Sequence, residues 1–142
     1  MGIDPLNVAD SLLGVLAQRL VRVLCADCKS AYKPDDAEIE LLTVACGRAY
    51  TVACGLDEDI DTLFRPQGCE ACSQTGFRGR MGLHELLPAT PEVKQVISTG
   101  RNVAEIRDQA LAAGMRSLKM DGVRRVIKGQ TTLAEVLKVC ID

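Results

Sequence analysis

Apolar side chains recur at helical spacing in several separate stretches of this 142-residue chain. In the first stretch, Val8, Leu12, Val15 and Leu16 share one helical face behind Asn7, with Asp10 three residues on at the reciprocal capping position. The spacing continues through Leu20 and Val23, which permits one helix as far as Leu24. Residues 20–24 fit a short strand equally well, and both readings stand at this point. A second helix is predicted from Asp35, with Glu38 completing a capping box, Pro34 at the entry, and Ile39, Leu42 and Cys46 on one face. From 47 to 66 no period emerges, and the acidic cluster at 57–61 reads as a solvated loop. Gly68, Gly76, Gly79 and Gly82 then punctuate a turn-rich segment. Residues 81–87 read as a strand in which Glu85 interrupts strict alternation.

The last third is predicted to be helical. Thr90-Pro91 is an N-cap followed by proline at the first helical position, and Gly100 is the stop. Asn102 with Glu105 opens a helix ending at Gly114, with Val103, Ile106 and Ala110 inward. Another runs from about Arg116 to Lys128 and stops at Gly129, and Thr132 with Glu135 caps the final one. Four short capped helices in so few residues suit a compact bundle, not an array of catalytic loops.

Composition narrows the function. A hydrophobic share of 47% with 25% charged residues suits one domain, with room for a small annex, and not a disordered chain. Seventeen basic against nineteen acidic residues give a net charge of −2, and aromatics make up only 3%. Nucleic-acid binders usually carry a basic excess and stacking platforms, so no nucleic-acid partner is expected. The longest apolar runs span about six residues, far short of the roughly 20 a membrane helix needs. No secretory leader is visible, which points to the cytoplasm.

Seven cysteines stand out in so short a chain, and an odd number argues against a disulfide framework. Cys25-Ala26-Asp27-Cys28 and Cys69-Glu70-Ala71-Cys72 are two C-x-x-C pairs separated by forty residues. Such a turn lets both sulfurs of a pair converge on one ion, so two turns supply the four thiolates of a closed tetrahedral zinc site. Iron, disulfides and unliganded thiols are the alternatives. Closing a forty-residue loop costs about 3 kcal/mol, well below the roughly 10–16 kcal/mol of structural zinc binding. Four cysteines leave no open position, so the metal is structural and not catalytic. Lys29, Arg78 and Arg80 are candidates to offset the thiolate charge. Cys46, Cys54 and Cys140 lack the paired spacing and are expected as separate buried thiols, a second metal site at Cys46 and Cys54 being the lesser reading. The single histidine, His84, has no nucleophile or paired carboxylate in sequence context and is read as a packing or interface residue. No G-x-x-x-x-G-K-[ST] phosphate loop occurs, and no lysine directly follows a glycine.

Three separated segments, in order, carry a resemblance. They are Met1-Gly2-Ile3-Asp4-Pro5 leading into 12–22, then Cys69-x-x-Cys72-x-x-Thr75-Gly76-Phe77-Arg78-Gly79-Arg80 with 82–87, then Gly114-Met115, Asp121-Gly122-Val123 and 129–137. Together they resemble the C-terminal region of the type II secretion and type IV pilus assembly ATPases. Nearly the whole chain is covered, with 46–61 fitting only loosely.

The resemblance implies a mainly helical α+β fold. A helix to about Ala17 and a strand (1–24) would lead to a tetracysteine zinc module (25–76), a returning strand (77–90) and a C-terminal helical subdomain (91–142). The two strands would form a short antiparallel pair with the zinc module inserted at its tip. The resemblance implies Cys25, Cys28, Cys69 and Cys72 as zinc ligands. ATP and Mg2+ would belong only to the full-length parent, whose Walker, Asp-box and His-box residues lie upstream, so this chain is expected to be non-catalytic. Implied partners are copies of itself in a hexamer and an inner-membrane platform protein, at the cytoplasmic face of the bacterial inner membrane. A zinc-ribbon-like adaptor for protein or nucleic acid is the alternative, and a thiol-disulfide enzyme using its C-x-x-C pairs is a third reading.

Overall fold

The computed structural model describes residues 2–56, 59–100 and 102–141. Two compact units emerge, Met1–Ala17 with His84–Ser117, and Gln18–Leu83 with Leu118–Asp142. The fold is α+β and mainly helical, with an antiparallel strand pair, as the sequence suggested.

In the first unit, helix α1 spans Pro5–Ser11. Its N-cap is Asp4, whose side chain accepts from the Leu6 amide at 3.0 Å, with Pro5 at the first helical position. This corrects the expected start at Asn7, because proline lacks an N–H and is accommodated only in a helix's first turn. The helix also stops short of Ala17. Strand β1 begins at Gly14 and runs to Leu24 (Gly14–Leu24), pairing with β4 (Phe77–Pro88). Val15 and Leu16, expected on an inward helical face, are exposed strand residues. Residues 20–24 are therefore strand, and the ambiguity is resolved by a partner strand that begins only at Phe77, which no local period reports.

Helices α4 (Pro91–Ser98) and α5 (Val103–Ala112) start at the expected caps, Thr90 and Asn102. Val93, Ala110 and Met115 form their core, with Leu87, Ile97 and Ile106 packed against it.

In the second unit, α2 spans Asp36–Cys46 and carries the expected box: Asp35 accepts from the Glu38 amide at 2.8 Å, and Glu38 from the Asp35 amide at 3.2 Å. The featureless 47–66 stretch holds more structure than its pattern suggested. A 3-10 turn (Arg48–Tyr50) and a one-turn helix α3 (Thr51–Cys54) follow α2, and strand β3 (Leu63–Arg65) pairs antiparallel with β2 (Ser30–Tyr32). Within the expected acidic loop, Asp57 and Glu58 lie outside the described residues, and Asp59 and Asp61 are exposed. Helix α6 (Leu118–Ile127) buries Met120, Val123 and Val126 and packs against α2, α3, β3 and α7 (Leu133–Val139). Among the described residues no helix is long and apolar enough to cross a membrane.

Candidate metal centre

Four sulfurs converge in the second unit. The Sγ atoms of Cys25, Cys28, Cys69 and Cys72 all lie within 4.8 Å of one another. Cys25 to Cys69 and Cys28 to Cys72 are each 3.8 Å, and Cys69 to Cys72 is 3.7 Å. A tetrahedron with the usual zinc–sulfur distance of about 2.3 Å has edges of about 3.8 Å. The spacing fits that ion, and the donor set of thiols alone suits a closed site.

Local turns aim these sulfurs. In the first knuckle, the Cys28 and Lys29 amides fold back onto the Cys25 carbonyl, at 3.4 and 2.9 Å. In the second, the Cys72 and Gln74 amides reach the Cys69 carbonyl at 3.2 and 2.8 Å, with Ser73 and Gln74 at positive φ. Gly76 then closes the turn at φ 77°, where a Cβ would strike the Pro66 side chain. Its carbonyl accepts from the Cys25 amide at 2.9 Å, so the two knuckles meet where β1 and β4 end.

Backbone amides supply the hydrogen bonds to sulfur. Gly68 donates to Cys28 at 3.3 Å, and Cys69 and Gly76 each donate to Cys72 at 3.2 Å. Burial opposes ionisation of Cys72, but those two amides outweigh it and bring its pKa down to about 6. Burial pushes the Cys69 thiol the other way, up to about 11, with neighbouring thiols adding to the rise.

The expected cationic side chains stand elsewhere. Lys29 donates to the Gly129 carbonyl at 2.8 Å and lies 4.5 Å over the Phe64 ring. Arg78 faces Asp27 at 3.8 Å, and Arg80 is exposed. Lys29 thus ties the first knuckle to the α6–α7 turn instead of neutralising sulfur. That turn is anchored further by the Leu24 amide on the Gln130 carbonyl (2.9 Å) and by Thr131 Oγ1 donating to the Arg22 carbonyl (2.8 Å). Arg22 stacks on Phe77 and makes a two-pronged pair with buried Glu135, at 2.9 and 2.7 Å. The Arg22 hydrogen bond holds the Glu135 carboxyl well below the usual range, at about 2, against the cost of burial.

The remaining cysteines divide. Cys46 and Cys54, expected as separate thiols, form a disulfide with Cα atoms 6.5 Å apart. The 3-10 turn folds α3 back on the end of α2, a reversal without apolar period and hence without a sequence signal beyond the pair itself. Cys140 is a buried thiol. His84 is an exposed residue of β4.

Residues 1–138 match the family described as Type II/IV secretion system protein. The chain is 39% identical over its whole length to the Type IV pilus assembly ATPase PilB of Thermus thermophilus. Two Pseudomonas aeruginosa proteins are similar as well: Type II secretion system protein HxcR at 39% over the whole chain, and Type II secretion system protein E at 41% over 98% of it. The chain spans only 15%, 24% and 25% of the lengths of these three relatives, respectively.

Proposed function

We propose, for a chain that belongs to the Type II/IV secretion system protein family, that it is a non-catalytic C-terminal portion of a secretion or pilus-assembly motor, organised by a structural zinc ion. Cys25, Cys28, Cys69 and Cys72 hold the ion. The supporting observation is the set of sulfur separations, 3.7–3.8 Å along three edges, which are those of a tetrahedral tetrathiolate. When bound, zinc supplies a closed cross-link between two turns and no reactive position.

What the chain's own residues do follows from where the knuckles sit. Each terminates one strand of the β1–β4 pair, and the Cys25–Gly76 hydrogen bond joins the strand ends. Fixing the knuckles fixes strand register, because a one-residue slip turns every side chain to the opposite face. Lys29, Arg22 and Leu24 carry that rigidity to the α6–α7 turn. In the full-length protein, ATP and Mg2+ act elsewhere, and this portion transmits subunit motion within a hexamer and toward an inner-membrane platform protein. Its place is the cytoplasmic side of that membrane.

Elemental analysis of purified protein tests the metal directly, with one zinc per chain expected. Metal-free protein with undiminished folding stability would remove the reading. For the motor role, Cys69→Ala in the full-length protein should lower oligomer stability and ATP turnover together. Unchanged values for both would overturn it.

A further inference from the structure

Away from the tetracysteine cluster, Cys46 and Cys54 are joined in surroundings unlike those of a permanent staple. Cys46 ends α2 and Cys54 ends α3, with the 3-10 turn Arg48–Tyr50 between them. Both cysteines are buried. Across the described stretch 47–56, however, Cys54 is the one buried residue, and Arg48, Ala49, Val52, Ala53 and Gly55 are exposed. The Tyr50 and Leu56 amides donate to carbonyls of the stretch itself, Gly47 at 2.8 Å and Thr51 at 2.9 Å. Arg48 pairs with Glu40 of α2, but both side chains are at least half exposed, and such a pair adds little. Helix α3 also lies against α6, yet Cys54 is the one residue it buries. The far end of the stretch is thus anchored chiefly through one sulfur.

Two features suit this stretch to either redox state. Gly47 at φ 92° and Gly55 at φ 79° bracket it, and glycine rotates there without the penalty a side chain would meet. In addition, Cys46 Sγ lies 3.2 Å from the Tyr50 carbonyl oxygen. Sulfur in a disulfide carries no proton, so only the reduced thiol can donate to that oxygen. The acceptor for the thiol form is in place before the bond breaks.

We infer that Cys46 and Cys54 form a reversible thiol–disulfide site, oxidised by a small disulfide of the glutathione class, whose bond latches 47–56 onto the end of α2. In the forward direction, the thiolate of one cysteine attacks a sulfur of the small disulfide, giving a mixed disulfide and one small thiolate. The other cysteine, as thiolate, then attacks the protein sulfur of that mixed disulfide and expels the second small thiolate. Both cysteine protons end on the released thiols, and two electrons pass from the cysteine pair to the small disulfide. Reduction is the reverse exchange. Because both cysteines are buried, either direction requires 47–56 to swing open about Gly47 and Gly55. Of the proposed function only the cytoplasmic setting is used, since disulfides there serve redox sensing more often than permanent stapling.

The test equilibrates the purified chain, with zinc supplied and oxygen excluded, in glutathione buffers running from a large excess of the reduced form to a large excess of the oxidised form. Acid quenching, alkylation and peptide mass spectrometry read the state of each cysteine. Cys46 and Cys54 should interconvert reversibly within that range, with zinc content unchanged. In hydrogen exchange, the Tyr50 and Leu56 amides should exchange about tenfold or more faster in the reduced protein, while the Leu24 and Gly76 amides keep their rates. Cys46→Ser should retain one glutathione on Cys54 as the trapped mixed disulfide. A bond that persists at the most reducing ratio, or never forms at the most oxidising one, would overturn the proposal. So would equal exchange of the Tyr50 and Leu56 amides in both states, or zinc lost in step with the bridge. Every readout is taken on the purified chain, so failure would remove this site and leave the proposed cellular setting untouched.

Discussion

The second unit holds two sulfur sites built on opposite plans. The tetracysteine cluster joins residues 44 apart in sequence, from two separate turns, and surrounds its sulfurs with backbone amide donors. The Cys46–Cys54 bridge joins residues only eight apart, at the fold-back between α2 and α3. Loop-closure entropy grows with the logarithm of loop length, so the longer closure restrains the unfolded chain by about 1.5 kcal/mol more than the shorter. The cluster also sits where two strands end and is tied to a distant turn. The bridge restrains one local reversal whose helices already pack on α6. On the proposed role, the first site organises a fold, whereas the second reinforces one already formed.

The largest expected effect breaks the cluster. Cys72→Ser should abolish zinc retention and cost several kcal/mol or more in denaturant unfolding, given roughly 10–16 kcal/mol for structural zinc binding. A strong zinc chelator should reproduce that loss in the unmodified protein while mass spectrometry still finds the Cys46–Cys54 bond. Replacing both Cys46 and Cys54 by serine should cost less, about 2–3 kcal/mol for so short a loop, with one zinc per chain still bound. Zinc lost along with the bridge would mean that the two sites are one cooperative unit.

Next in size is the brace between cluster and helices. Glu135→Gln should cost about 2 kcal/mol near neutral pH, because the two-pronged Arg22 pair loses its charge. The Glu135 pKa is lowered from 4.5 to about 2 in the folded protein. Its contribution is therefore complete above about 4.5 and disappears as pH falls toward 2. The stability gap between the original protein and Glu135→Gln should close across that window, and a gap that stays constant would show the carboxylate's charge to be irrelevant.

The smallest effect is expected at Gly129, which lies at φ 66° with no room for a Cβ against the Phe64 ring. Gly129→Ala should cost about 1–2 kcal/mol by thermal unfolding, without loss of zinc. A stability matching the original would show that Phe64 and the backbone relax freely there.

Much of the candidate site was legible because its information is local. The two C-x-x-C spacings fix how each sulfur pair can be aimed, and Asp35, Thr90, Asn102 and Thr132 announce helix starts through hydrogen bonds spanning three residues. The sulfur-directed amides were less visible. The charged side chains nearby suggested themselves, but Lys29 is claimed by the Gly129 carbonyl across a hundred residues.

The chain's own order of residues thus determined which four cysteines converge, most helix starts and the absence of a phosphate-loop pattern. Only the tertiary structure decided that residues 14–24 extend as strand, that β2 finds β3, that Cys46 meets Cys54, and that Leu41 and Leu137 border one groove. Caps and knuckles are closed by neighbours a few residues away, so their energetics are written in short words of sequence. Strand pairing and groove bring together groups far apart in sequence, and no short stretch contains both sides of those contacts. The Cys46–Cys54 bridge is local, but the reversal that closes it carries no apolar period.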